Sequence, residues 1–517
     1  METKIWKNRV FVLSATIILL LVILGAAMPG AFGRVSERLY EMTTVNFGWL
    51  YLLTVFLIVI FLIGLALSKY GRIRLGGDDE RPEFPRFTWI GMLFSAGFGV
   101  GLVFWGVAEP MSHFFSTPFA GIGDQTRKAA RVAMGYSFFH WGISQWAIFA
   151  LVGLVIGFLQ FRKSKTGLIS TALEPVTGNR PVVRNTLDSL AVIATVMGIA
   201  TSLGLGVLQI NGGLNVVFQV ENTFGVHLLI MAVMFVLYMI SSLTGLEKGI
   251  RYLSNLNLGL AIGLLLFVFI IGPIVFILET FTLAIGDYMT NFIAYSLRLQ
   301  PYVGGTWVRD WTIFYWAWTI AWSPFVGAFV ARVSRGRTVR EFIAGVMVVP
   351  PLIACLWIAV FGGTALWHDL NRNAGIAEAV DADITSALFL TFQQLPLSGV
   401  LSVAAIMLIF TFLVTSADSA TYILGSMTSN GSIQPPNIAK LVWGVLMAAA
   451  ASVLLYTGGL NALQTASLIA ALPFTVLLLM LIVAVVKLLK KEPLPIRQID
   501  VRRFRRLAKA VKGKNKL

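Results

Sequence analysis

Polar residues are so sparse along much of this chain that they act as punctuation. Uninterrupted apolar runs, each close to the ~20 residues that cross ~30 Å of hydrocarbon, recur twelve times. They fall at about 10–29, 46–68, 87–108, 135–158, 187–210, 226–244, 257–279, 311–331, 342–363, 398–424, 437–456 and 464–486. Lipid offers no partners for N–H and C=O groups, so each run is predicted to be an α-helix that satisfies its own backbone. The first run, within METKIWKNRVFVLSATIILLLVILGAAMPG, stands where a signal peptide would. It is span-length and more spans follow, so it reads as a retained helix.

Two helices carry residues that oppose helix. In FTWIGMLFSAGFGVGLVFWGVAEP, Gly97, Gly99 and Gly101 alternate, each costing a helix interior up to about 1 kcal/mol relative to Ala. Small residues often serve close packing, but alternate positions point about 200° apart, so these three share no single face. Local unwinding is expected instead, with Glu109 and Pro110 closing the helix. The eighth helix holds Ser323-Pro324, and proline removes a backbone hydrogen bond, so an interruption is expected there too. Interrupted helices at matching positions of two halves point to a transporter's binding site. Helix three opens spans 3–7 and helix eight opens spans 8–12, and five spans per set start the second set on the opposite side of the membrane. That is an inverted repeat.

Composition agrees with a membrane protein. The 517 residues are 57% hydrophobic and 12% charged, half the ~25% charge of a soluble domain, with a mean hydropathy of +0.81. The single cysteine, Cys355, excludes an intramolecular disulfide. Alternate connections hold 32 and 8 of the 40 basic residues, which predicts that both termini are cytoplasmic. The net charge of +16 is therefore a topology signal, and nucleic acid is a poor explanation for it. The tail KLLKKEPLPIRQIDVRRFRRLAKAVKGKNKL is either a generic positive-inside anchor or a sensor of anionic lipid.

Within the spans, chemistry concentrates in two places. Thr415, Ser416, Asp418, Ser419 and Thr421 form a polar cluster in TFLVTSADSATYILG, suited either to a small alkali cation or to interhelical hydrogen bonding. In FHWGISQWAIFALV, Trp141, Trp146 and Phe149 fall within one arc of a continuous helix. Trp311, Tyr315, Trp318 and Trp322 form a stripe on helix eight. Such rings serve as an interfacial belt or packing, or as a cage that holds a quaternary ammonium by cation–π attraction.

GFGVGLVFWGVAEP, FHWGISQWAIF, ATSLGLGVLQINGGL, FYWAWTIAWSPFVGAFVARVSRGRTVREF and TSADSAT, in this order, resemble the betaine/carnitine/choline transporter family. The resemblance implies an all-α membrane protein with twelve transmembrane helices, a LeuT-type 5+5 inverted repeat preceded by two extra helices, and a homotrimer. It places an aromatic box on Trp141, Trp146, Phe149, Trp318, Thr319 and Trp322, with Gly97, Phe98, Gly99 and Gly101 at the other end of the substrate. It also implies a Na+ site at Ser95, Phe98, Phe412, Thr415 and Ser416, and a second at Thr195, weakened because the next-turn position is Ile199. The chain departs from the betaine-type box at Phe149, where tyrosine is usual, at Thr319, where tryptophan is usual, and at Phe98, where methionine is common. Gly101 occupies a position where some proton-coupled choline carriers have aspartate, which tilts this chain towards zwitterions. Helix five has no Lys or Arg, the side chain that sodium-independent exchangers use in place of the cation. His140, beside Trp141, keeps proton coupling open.

The expected function is a secondary carrier, not an enzyme and without a cofactor. It imports a betaine-like onium osmolyte with Na+ by alternating access through the plasma membrane. The alternatives are a sodium-independent or proton-coupled carrier or exchanger of choline, carnitine or a sulfonium compound, and more remotely an ion channel. The four histidines are too scattered in sequence for metal hydrolysis. The expected organisation is 1–86, a tail and two peripheral helices; 87–280, the first repeat; 281–310, a connection with an amphipathic helix; 311–488, the second repeat; and 489–517, a basic tail. The partners implied are the onium substrate and the bilayer, with anionic lipid at the tail.

Overall fold

The computed structural model describes residues 2–97, 99–119, 121–244, 247–302 and 304–494. Phe98 and most of the basic tail lie outside the described residues, as does the side chain of Ser95. Helix α1 (Arg9–Ala27) starts where the Asn8 side chain accepts from the Val10 and Phe11 amides, satisfying two of the donors a helix start leaves free. After α2 (Pro29–Leu67), the third crossing is made in two pieces, α3 (Arg86–Gly97) and α4 (Val100–Phe115), with Gly99 extended between them. The fourth is also divided, into α5 (Arg127–Trp141) and α6 (Ile143–Gly157). There follow α7 (Ile169–Thr177), α8 (Pro181–Phe218), α9 (Phe224–Thr244), α10 (Glu247–Ile271) and α11 (Ile274–Ser296). A π-turn leads into α12 (Phe314–Val333), then come α13 (Val339–Arg372), α14 (Ile376–Ala382), α15 (Ala387–Gln393), α16 (Ser398–Met427) and α17 (Asn437–Lys490).

Among the described residues, ten helical stretches are long and apolar enough to cross a membrane. One of them, α17, holds two crossings, because Gly458 and Gly459 leave helical geometry midway. The pair α3 and α4 supplies another, and the twelve expected crossings are present. The unwinding expected among the alternating glycines is there too. Three local expectations are corrected. Helix α12 runs unbroken through Ser323-Pro324, because the Ser323 hydroxyl donates to the Ile320 carbonyl that Pro324 leaves free (2.7 Å). Helix α4 does not end at Glu109-Pro110 but continues to Phe115, with both residues fully enclosed. The seventh span stops at Ile271, where Gly272-Pro273 ends it and α11 begins.

Helix α12 lies at the centre, packed against α6, α8 and α17. Its crossing with α6 is close: a β-carbon on Gly153 would stand 3.0 Å from the Gly327 carbonyl oxygen. On the side of the N-terminus, by the parity of the crossings, the segment before α3 is tied to the turn after α12. Leu75 donates to the Arg337 carbonyl (2.8 Å) and Gly336 returns a bond to Leu75 (2.7 Å). Arg335 pairs with Glu80 (2.7 Å), Arg332 with Glu83 (2.8 Å) and Arg86 with Glu341 (3.4 Å). The Trp89 indole donates to Ser334 (3.0 Å), and the Arg337 guanidinium lies 4.5 Å from the Trp89 ring centre.

Candidate functional site

The aromatic residues singled out in sequence form one connected group of rings. Trp146 meets Phe149 edge-on at 5.2 Å, and Phe149 lies 6.5 Å from Trp322. Trp322 is 6.4 Å from Trp318, and Trp318 stands 6.2 Å from Trp141 at 80°. Upstream, Trp311, Tyr315 and Trp318 continue the stripe at 6.5 and 6.4 Å. These rings are buried or half-buried inside the bundle rather than in a belt facing lipid. Thr319 is buried among them and its hydroxyl has no hydrogen-bond partner, nor has the Trp322 indole N–H. An unpaired buried polar group is costly, and these two stand beside the same aromatic group.

Glycine at 101 is required by approach, not by backbone conformation. A β-carbon there would overlap Trp318 Cη2 and stand 3.3 Å from Trp141 Cη2. Gly101 thus brings the first turn of α4 against two walls of the aromatic group. Gly99 caps α4 with extended backbone, and Gly97 ends α3. The Gly99 carbonyl accepts the first bond of α4, from the Val103 amide (3.2 Å), while the last carbonyls of α3 have no intrahelical partner.

The interruption of helix four was not anticipated: Trp141 and Trp146 were read on one continuous helix. The chain breaks between them at Gly142, where a β-carbon would stand 2.6 Å from the Phe138 carbonyl oxygen and 2.7 Å from Tyr288 Cζ. The Ile143 amide, deprived of a helical partner, donates to the Tyr288 hydroxyl of α11 (2.9 Å). Arg131 of α5 pairs with Asp287 of α11 through two bonds of 2.6 and 2.7 Å. A glycine is needed here against both the Phe138 carbonyl, one turn back, and the Tyr288 side chain of α11, and the second of these lies far away in sequence.

A second unforeseen feature is Glu109. Its Oε1 is 2.6 Å from His140 Nδ1 and 3.2 Å from His113 Nε2, and its Oε2 accepts from the Trp141 indole (2.9 Å) and the Tyr315 hydroxyl (2.6 Å). His140 Nε2 in turn meets the Thr312 hydroxyl at 2.9 Å. Glu109, His113 and His140 are fully buried, and their ligand atoms lie within 4.8 Å of one another, close enough to chelate a metal ion. A metal held by these three would take the place of the two contacts between the histidine nitrogens and Oε1. The scatter of histidines along the sequence concealed this meeting of His113 and His140. The signal that could have found it is the cost of a charge within a span, which calls for a named partner.

The cation donor set is partly in view. Thr415 donates to the Thr411 and Phe412 carbonyls (3.0 and 3.1 Å) and accepts from Asn257 of α10 (3.3 Å). Phe412 is buried and Ser416 half-buried on the same helix. Ser95 lies in the last turn of α3, where carbonyls lack intrahelical partners; Phe98 is outside the described residues. Thr195 is buried in α8 and donates to Ala191 (2.7 Å). Hydroxyls that bond back to their own helix keep lone pairs for a ligand, and oxygen donors of this kind suit Na+.

The family model described as BCCT, betaine/carnitine/choline family transporter, matches residues 9–494. An ectoine/hydroxyectoine transporter of Virgibacillus pantothenticus is 61% identical over 95% of this chain and 98% of its own. A glycine betaine transporter of Bacillus subtilis is 47% identical over 93% and 94%. Among solved structures, a Na+-coupled sialic acid symporter in a substrate-bound outward-open state superposes with a TM-score of 0.50 at 16% identity. It covers 84% of this chain and 86% of its own, a likeness of fold alone.

Proposed function

The chain belongs to the betaine/carnitine/choline transporter family, whose members are carriers and not enzymes; from that premise we propose that it imports a zwitterionic osmolyte of the ectoine or betaine type, driven by Na+. The observation that carries the reading is the connected group of five rings with two unpartnered polar groups inside it. A desolvated onium head gains about 2 kcal/mol or more against an aromatic face. The trimethylammonium head of glycine betaine has no N–H to offer the Thr319 hydroxyl. The ring of ectoine carries its cation as an amidinium with two N–H donors, which gives Thr319 Oγ1 a bond to accept. The same solute is carried by the relative of 61% identity, so ectoine is the preferred cargo in this reading.

Na+ would be held by carbonyls at the end of α3 and by Thr415 and Ser416 on α16, joining the two helices. By linkage, an ion that orders the α3–α4 break raises substrate affinity, and the substrate raises ion affinity by the same factor. The side with the basic excess faces the cytoplasm in this reading, with both termini there, and the ties between α3 and α12 close that side. The chain forms a homotrimer in the plasma membrane, and its basic tail lies against anionic lipid.

Uptake into proteoliposomes of radiolabelled ectoine, glycine betaine, carnitine and choline, each with a Na+ gradient, a proton gradient or neither, tests the proposal. Concentrative ectoine uptake that requires Na+ is expected. Equal uptake without either gradient, or stimulation only by substrate preloaded inside, would replace symport with facilitated exchange.

A further inference from the structure

Gly101 denies the aromatic group a carboxylate on α4's first turn, yet a buried carboxylate stands directly behind one of its walls. From that we infer that Glu109 is the fixed counter-charge of the substrate's cationic head, acting through Trp141, and so decides whether a charged or a neutral head is bound. The inference rests on the onium reading of the preceding section.

The hydrogen bonding determines the chemical state. An indole N–H can only donate, so Trp141 requires an acceptor at Glu109 Oε2. Tyr315 donates to the same oxygen, and Oε1 faces one nitrogen from each of two histidines. Two donors converging on Oε2 is the pattern of a carboxylate, an acceptor-only group. His140 Nε2 in turn lies against the Thr312 hydroxyl. Among the described residues Glu109 pairs with no Lys or Arg. The carboxylate held between α4, α5 and α12 thus has no permanent cation beside it in the apolar interior.

That charge reaches the substrate site in two ways. A bond from the indole N–H to an anion polarises the ring and enriches its face in electron density, which strengthens its hold on a cation. The bond also fixes the ring: Trp141 cannot rotate out of its edge-on contact with Trp318 without leaving a buried carboxylate one donor short. In addition, one indole's width of protein separates the charge from the cage, and water does not screen it there. A bulkier ring alone could do none of this. Trp141 is therefore one wall of the cage, and Glu109 is its positioning residue.

Calorimetric titration of the purified full chain tests this, using glycine betaine and ectoine, each against an isostere with carbon in place of every nitrogen (tert-butylacetate for betaine). The wild type is expected to favour at least one onium over its isostere by about tenfold or more. Glu109→Gln is expected to abolish most of that preference by weakening the onium, while the isostere changes by less than about threefold. Glu109→Asp keeps the charge and should keep the preference, and it serves as the measurable variant if Glu109→Gln does not yield monodisperse protein. Equal loss of onium and isostere in either variant would reduce Glu109 to a structural role and overturn the inference, as would a preference that survives Glu109→Gln intact. A wild type without any onium preference would defeat the substrate reading itself, and this inference with it.

Discussion

The indole of Trp141 stands edge-on to that of Trp318, their centres 6.2 Å apart at 80°. One ring comes from α5 and the other from α12, so the pair bridges two helices that sequence keeps far apart. Edge-to-face pairs contribute about 0.5–1.5 kcal/mol beyond area burial, and Phe314 backs Trp318 in a parallel stack at 5.9 Å and 4°. Replacing Trp318 by Leu should raise the KM for the transported osmolyte by about thirtyfold, the equivalent of ~2 kcal/mol of cation–π attraction. Surface expression should be unchanged. An unaltered KM would mean that the ring is packing only.

Gly101 should tolerate no side chain while Trp318 is present, since its β-carbon would occupy the place of Cη2. Gly101→Ala is expected to reduce uptake by about tenfold or more, because overpacking costs roughly 1–3 kcal/mol. Combining it with Trp318→Phe, which vacates that space, should cost less than the two single changes added. A strictly additive double-mutant cycle would deny the contact.

The proposed function makes Thr319 the residue that discriminates between the two candidate cargoes. Thr319→Val removes the hydroxyl at nearly constant volume and should weaken ectoine by about fivefold to tenfold, the worth of one hydrogen bond, while glycine betaine is unaffected or improved. Thr319→Trp should shift selectivity towards glycine betaine. Competition assays with both substrates in the same vesicles read the ratio directly, and an unchanged ratio in both variants would show that position 319 does not meet the ligand.

The ties between α3 and α12 predict a response to acid. The Gly77 amide, and after it Arg335, hold the Glu80 carboxyl below its ordinary value of 4.5, and Arg332 does the same for Glu83. A carboxylate depressed in the folded state contributes stability that is complete above the ordinary value and lost as pH falls through the depressed one. Amide exchange, corrected for its intrinsic pH dependence, should therefore be flat above about pH 5 and rise selectively at 75–84 and 334–338 below 4.5. Protection in these segments that persists until global acid unfolding would contradict it.

The legible parts of this molecule were those written in runs and stripes. Twelve crossings followed from apolar length, the α3–α4 break from glycines that share no face, and the Trp311–Trp322 stripe from helical spacing. What escaped depended on partners across the fold. The Pro324 break was expected from a missing N–H, and the neighbouring Ser323 hydroxyl made it unnecessary. The Gly142 break gives its freed Ile143 amide a partner in Tyr288, more than a hundred positions away. Glu109 looked like the end of a helix at the membrane surface, and only the fold brings His140 and Tyr315 to it.

The bonds that join the start of α3 to the end of α12 have a mechanical implication. Two rods clamped together at one tip can part only at the other, like the legs of a compass. Whatever rocking admits the cargo, these two rods must pivot about the clamp, and the gap between them is widest far from it. Loosening the clamp would not simply speed that swing; it would let both ends gape together and turn a carrier into a leak.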